Sequence, residues 1–144
     1  MNNTFHCLEC GNAITLGVFN FSMEVHGVPL CLKHQNWINE TMSSPEALSL
    51  YFALKSNNLP VKLEFWDGKK TIDIAIPDKL YIEVDEEQDI DADKAFTDFL
   101  KTFHELKDKI PNIRVSNAQM RNSYQFEIIV DKLTDLCKEF KKTG

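Results

Sequence analysis

Apolar and polar positions alternate through three successive runs in the middle of the chain. Val61, Leu63 and Phe65 alternate with Lys62, Glu64 and Trp66; Ile72, Ile74 and Ile76 with Thr71, Asp73 and Ala75; Leu80, Ile82 and Val84 with Tyr81, Glu83 and Asp85. A period of two is the pattern of strands with one buried face. Asp67-Gly68 predicts a hairpin turn between the first two strands, and Pro77-Asp78-Lys79 a turn between the second and third.

Helical spacing brackets these strands. Ser44-Pro45 predicts a capped helix start, with Ser43 and Glu46 fitting a capping box one residue earlier, and Ala47, Leu48, Tyr51 and Leu54 on one face. Asn57-Asn58-Leu59-Pro60 ends that helix. A second helix is expected over Phe96, Phe99, Leu100, Phe103 and Leu106, a short strand over Asn112–Ser116, and a last helix over Phe126–Phe140. Before residues 36–44 the pattern changes. No helical period is evident there, and Ile14 to Val25 reads as short strands, with a turn at Val25–Val28.

That first segment carries Cys7-x2-Cys10 and Cys31-x2-His34. Zinc takes four soft or borderline ligands in a tetrahedron, and a two-residue spacer lets a tight knuckle aim two of them at one ion. Gly11 permits the sharp turn after the first pair. His6 and His26 are rival ligands, but only His34 completes a symmetric pair. With all four positions filled by protein, the metal is structural, and a segment this short draws its folding free energy from it. Three cysteines clustered with a histidine imply a reducing, cytoplasmic setting. The fourth cysteine, Cys137, fits a helical core position.

The 144 residues suit one domain plus a small metal-stapled unit, here 1–40 and 44–144. Lys and Arg number 16 against 22 Asp and Glu, a net charge of −6. This disfavours a wholly basic nucleic-acid binder but admits a nuclease, because metal ions bring positive charge to an acidic site. No apolar run is long enough to span a membrane, and no basic segment followed by an apolar core predicts a signal peptide.

The acidic residues are placed unevenly. If the second hairpin aligns its apolar faces, Ile76 pairs with Leu80, Ile74 with Ile82 and Ile72 with Val84. Asp73 then stands directly opposite Glu83, with Asp85 one pleat further along. Like charges at that spacing repel, and a hard cation such as Mg²⁺ or Mn²⁺ would relieve them. Such an ion supports metal-assisted phosphodiester hydrolysis. The bland alternative is a solvated polar face. Glu46 is both a helix-start residue and a candidate fourth carboxylate. The run Glu86, Glu87, Asp89, Asp91, Asp93 lacks the glycine and the terminal glutamate of a calcium loop and reads as a solvated loop. Arg114, Arg121 and the lysines of the last helix are candidates for a phosphate-facing surface.

Two resemblances extend this reading. Cys-x2-Cys-Gly, the Phe21-Ser22 strand and Gly27-x-Pro29-Leu30-Cys31 resemble the zinc ribbons of bacterial and phage DNA-recombination and repair proteins. The order helix, three strands, helix, strand, helix, with Asp73-x9-Glu83-x-Asp85, resembles the PD-(D/E)xK nuclease superfamily, and within it the group related to very short patch repair endonucleases. The matching residues are Glu46, Ile72-Asp73-Ile74, Ile82-Glu83-Val84-Asp85, Asp98, Lys101-Thr102 and Ile113-Arg114-Val115. The superfamily's lysine, two residues after the glutamate, is Asp85 here, and Glu86-Glu87-Gln88 replace the relatives' Gly and following His. Lys94, Lys101 and Gln88 are candidates to supply the lysine's role.

The resemblance implies an α/β protein with a restriction-endonuclease-like αβββαβα core behind a small zinc ribbon. It implies a metal-dependent nuclease, with Asp73 and Glu83 on Mg²⁺ or Mn²⁺ and Asp85 and Glu46 in support. Nucleic acid is the expected partner, DNA before RNA, with a protein bound through the ribbon and a second copy of the chain as further candidates. The rival expectations are a catalytically inactive module of the same fold that binds nucleic acid or protein, and an acidic mimic of DNA.

Overall fold

The computed structural model describes residues 4–77, 79–85, 94, 96, 97, 100, 101 and 112–143. The chain forms two compact units, Met1–Met42 and Ser43–Gly144.

In the first unit, β1 (Phe5–His6) and β2 (Ala13–Ile14) form a short antiparallel hairpin, followed by α1 (Leu16–His26) and α2 (Leu32–Glu40). Ile14 ends β2, but from Leu16 onward the expected strands are corrected to a helix, and the Phe21-Ser22 strand of the expected ribbon lies inside α1. The pattern misleads because Phe19, Phe21, Met23 and Val25 alternate with Asn20, Ser22 and Glu24. Termini decide the matter. Thr15 caps α1 by accepting the N–H of Val18, and Gly27, at φ 76°, closes it in the left-handed conformation that glycine adopts without strain. The inward position is Ser22, which is fully buried: its hydroxyl donates to the Val28 carbonyl and accepts the N–H of Leu30. Phe21 and Val25 are more than half exposed.

The second unit is α/β. Its mixed four-stranded sheet runs β3 (Lys62–Trp66), β4 (Thr71–Ile76), β5 (Leu80–Asp85), β6 (Asn112–Ser116), antiparallel except for the parallel β5–β6 pair. Helices α3 (Pro45–Ser56), α4 (Asn117–Arg121) and α5 (Ser123–Thr143) pack against one another, with α3 touching β4 and α4 touching β6. The core consists of the alternating residues: Ile72, Ile74, Leu80, Ile82, Ile113 and Val115 are at most 1% exposed. Leu50, Leu54, Ile129 and Leu133 face them from the helices or one another, all fully buried.

Ser44 caps α3 through the Ala47 N–H with Pro45 at the first position. The capping box expected from Ser43 and Glu46 does not form. The Ser43 hydroxyl donates instead to the Glu64 carboxylate at 3.1 Å. Glu64 has a left-handed backbone, φ 52°, in the middle of β3. Helix α4 was not foreseen. It follows directly on β6 through a capping box in which Ser116 accepts the Gln119 N–H at 3.1 Å and Gln119 accepts the Ser116 N–H at 2.6 Å. Ser116→Ala is expected to cost the unit about 1 kcal/mol, read as a lowered urea midpoint with an unchanged slope.

The helix expected over Phe96–Leu106 and the acidic run after Asp85 lie largely outside the described residues. Lys94, Phe96, Thr97, Leu100 and Lys101 are helical. Among the described residues no helix is long and apolar enough to cross a membrane.

Candidate metal centre and carboxylate face

The sulfurs of Cys7, Cys10 and Cys31 and a ring nitrogen of His34 all lie within 4.8 Å of one another. Local structure brings them together from both ends of the first unit. Cys7 follows β1, and the Cys7 carbonyl accepts the N–H of Gly11 at 2.8 Å, which closes the knuckle around Cys10. Gly11 sits at φ 78°, so the turn depends on glycine there. The Leu8 N–H donates to the Pro29 carbonyl at 2.7 Å and ties the knuckle to the segment before Cys31. Cys31 is the N-cap of α2 and His34 lies in its first turn, so a spacing of three places both on one side of the helix. Gln35 fixes the approach by donating its side-chain amide to the Leu30 carbonyl.

The separations suit one small ion. Cys10 Sγ lies 3.9 Å from Cys31 Sγ, and His34 Nδ1 lies 3.7 Å from Cys7 Sγ and 3.2 Å from Cys31 Sγ. A tetrahedron with zinc's usual bond lengths has edges of about 3.8 Å between sulfurs and about 3.6 Å between sulfur and nitrogen. Electrostatics point the same way. Burial raises the Cys7 thiol, but the N–H groups of Cys31, Cys10 and Glu9 outweigh it and hold Cys7 below the ordinary thiol value. The Asn12 N–H favours the Cys10 thiolate, but desolvation and the sulfurs of Cys7 and Cys31 push it above. Crowded thiolates of this kind are relieved by a shared cation. Neither His6 nor His26 belongs to the group, as the spacing predicts.

Asp73, Glu83 and Asp85 occupy the other face of the sheet from the isoleucines. Pairing of Ile76 with Leu80 and Ile74 with Ile82 follows the expected register, but the ladder stops there. Asp73 does not form the expected backbone pair with Glu83. Its side-chain oxygen enters the ladder instead and accepts the Val84 N–H at 2.9 Å. Ala75 pairs with Tyr81, so Asp73 and Glu83 lie one pleat beyond that pair on the same face.

Each acid has a partner. Glu83 is half-buried and accepts Lys70 Nζ at 2.9 Å and Arg114 at 3.5 Å; Arg114, directly across the parallel ladder, also reaches Asp85 at 3.9 Å. Glu46, in the first turn of α3, pairs with Arg121 at 3.0 Å. Asp73, Glu83, Asp85 and Glu46 do not gather into one ligand group: the only set of three or more metal-ligating side chains among the described residues is the Cys3His cluster. Sequence reasoning missed Lys70. Its position in the β3–β4 turn, ending the hairpin begun by Asp67-Gly68, was the available signal. The Asp67 carboxylate accepts the N–H groups of Lys69 and Lys70 and sets this turn.

A cleft of about 440 Å³ between the end of α3 and the middle of α5, lined by Ser56, Asn57, Asn58, Asp131, Thr134, Asp135 and Lys138, shares no residue with either site. No family model, curated protein or solved structure matches the chain.

Proposed function

We propose that the first unit is a structural zinc module and that the second hydrolyses phosphodiester bonds in nucleic acid, DNA before RNA, with Mg²⁺ or Mn²⁺. The observation that carries the second part is the placement of Asp73 and Glu83 on one face of adjacent strands, half-buried and flanked by Lys70 and Arg114. The element order α3, β3, β4, β5, β6 with a parallel last pair supports the likeness to the PD-(D/E)xK nucleases.

Hard oxygen donors on neighbouring strands are the chemistry that Mg²⁺ and Mn²⁺ take, typically one or two carboxylates with water completing the shell. Asp73 and Glu83 would hold the ion, with Asp85 beside them. The bound ion would polarise the phosphate and supply hydroxide near neutral pH. The chain's own residues orient the carboxylates. The Val84 N–H fixes the Asp73 side chain, and Lys70 and Arg114 fix that of Glu83.

Asp73→Asn is the discriminating variant. An amide oxygen can still accept the Val84 N–H, so stability is kept, whereas the ligand charge is lost. Mn²⁺-dependent cleavage of plasmid DNA by the wild type, reduced at least tenfold in Asp73→Asn, is the expected result. Absence of both Mn²⁺ binding and cleavage in the wild type excludes the nuclease reading. That outcome favours the inactive module, which the satisfied state of each carboxylate also suits.

A further inference from the structure

Glu83 carries two cations of a particular kind. Its own side chain is 16% exposed, whereas Lys70 is 51% and Arg114 67% exposed. The acid is at the floor of the face and the cations are at its rim. They come from different elements, Lys70 from the β3–β4 turn and Arg114 from the middle of β6, and converge on opposite oxygens of one carboxylate. Arg114 extends the same contact to Asp85.

With the lysine and arginine this exposed, water screens their side of each pair and the long side chains lose freedom in forming it, so the pairs add little to folding. The geometry is therefore better explained by what the cations do when the carboxylate is engaged elsewhere. We propose that Lys70 and Arg114 are the phosphate-contacting residues of the face, and that Glu83 holds them in check. With Glu83 free, its charge occupies both cations and repels a nucleic-acid strand. With the Glu83 charge neutralised, Lys70 and Arg114 turn to the backbone oxygens of the substrate. Arginine suits this through its planar fork and lysine as a mobile point charge. Glu83 would thereby couple metal occupancy to substrate binding: an ion that neutralised its charge would free Lys70 and Arg114 to grip the strand.

This inference rests on the proposed phosphodiesterase reading, but its test needs neither metal nor turnover. Binding of a short fluorescein-labelled DNA duplex is measured by anisotropy in EDTA at low salt, where phosphate contacts are strongest. Glu83→Gln is expected to bind about tenfold more tightly than the wild type. Adding Lys70→Ala and Arg114→Ala to Glu83→Gln returns the affinity to the wild-type level. Glu127→Gln, on the exposed surface of α5, changes the net charge equally and is expected to shift affinity less than twofold. An unchanged affinity in Glu83→Gln, an equal gain in Glu127→Gln, or a gain that survives loss of both cations overturns the proposal. Failure of the enzymatic reading is seen separately, as absence of Mn²⁺ binding and cleavage in the wild type. If the duplex assay behaves as expected while cleavage is absent, the rim cations serve a binding module, and the gating by Glu83 stands.

Discussion

Metal removal, or Cys31→Ser, is expected to unfold α1 and α2 and to leave the second unit intact. The first unit has almost no apolar core. Among its described residues the buried ones are Cys7, Ser22, Leu30 and Gln35, of which only Leu30 is a large aliphatic, while Leu16, Phe21, Val25 and Leu32 are more than half exposed. What joins its two ends is the four-ligand cluster and the Leu8 N–H to Pro29 carbonyl bond, with Phe5 stacked on Phe19 and a few local hydrogen bonds between residues 22 and 35. Zinc binding in small metal-dependent folds is worth about 10–16 kcal/mol, comparable with the whole stability of an ordinary domain. Serine is itself a good N-cap, so Cys31→Ser removes a ligand without removing the start of α2. Freshly purified protein is expected to contain one equivalent of zinc by elemental analysis. In chelator, the amide resonances of residues 5–40 collapse to unfolded positions while those of β4, β5 and α5 stay dispersed. Metal-free protein that keeps its α1 and α2 signals, or native protein with less than one equivalent, would defeat the assignment.

Ile82→Ala is expected to destabilise the second unit by about 4 kcal/mol. Ile82 is fully buried and pairs with Ile74 on one side and Ile113 on the other, both closed to solvent as well. A cavity at this position is bounded by strands on two sides, and the sheet cannot close over it without breaking its ladder. The predicted loss is a large share of a domain's usual 5–15 kcal/mol, so the variant should unfold at much lower urea or populate the unfolded state without denaturant. Trp66→Ala serves as the contrast. Trp66 is 62% exposed at the end of β3, and its loss is expected to change stability by less than about 0.5 kcal/mol. Comparable destabilisation by the two variants would contradict the assigned core.

The second unit was legible because its signals agree with one another. Period-two runs of β-branched residues, an Asp-Gly turn and a Ser-Pro helix start each point to the element that forms, and β6 falls at Asn112–Ser116 as expected. The metal ligands were legible because two spacers of two residues have few other uses. The failures share a physical cause. In α1 the apolar residues alternate, but the unit is too small to offer a face for them, so a serine goes inward and the caps set the structure. Asp73 has the expected position on its face, yet a backbone N–H within reach takes its carboxylate and alters the expected pairing with Glu83. Lys70 carried no motif. Only the folded hairpin shows that its ammonium meets Glu83.

The left-handed Glu64 has a consequence for how the protein behaves when concentrated. Among the described residues β3 ends the sheet, so one of its edges offers backbone donors and acceptors to any extended strand that approaches. A foreign strand needs a continuous run of matched groups to add on. Leu63 and Phe65 keep one register with β4, but Glu64 between them, the middle residue of five, turns its backbone to φ 52°, and its carboxylate accepts the Ser43 hydroxyl. Lys62 adds charge to the same strand. A kinked edge is a poorer template for another strand, so a fibre growing through this edge would have to straighten Glu64 first.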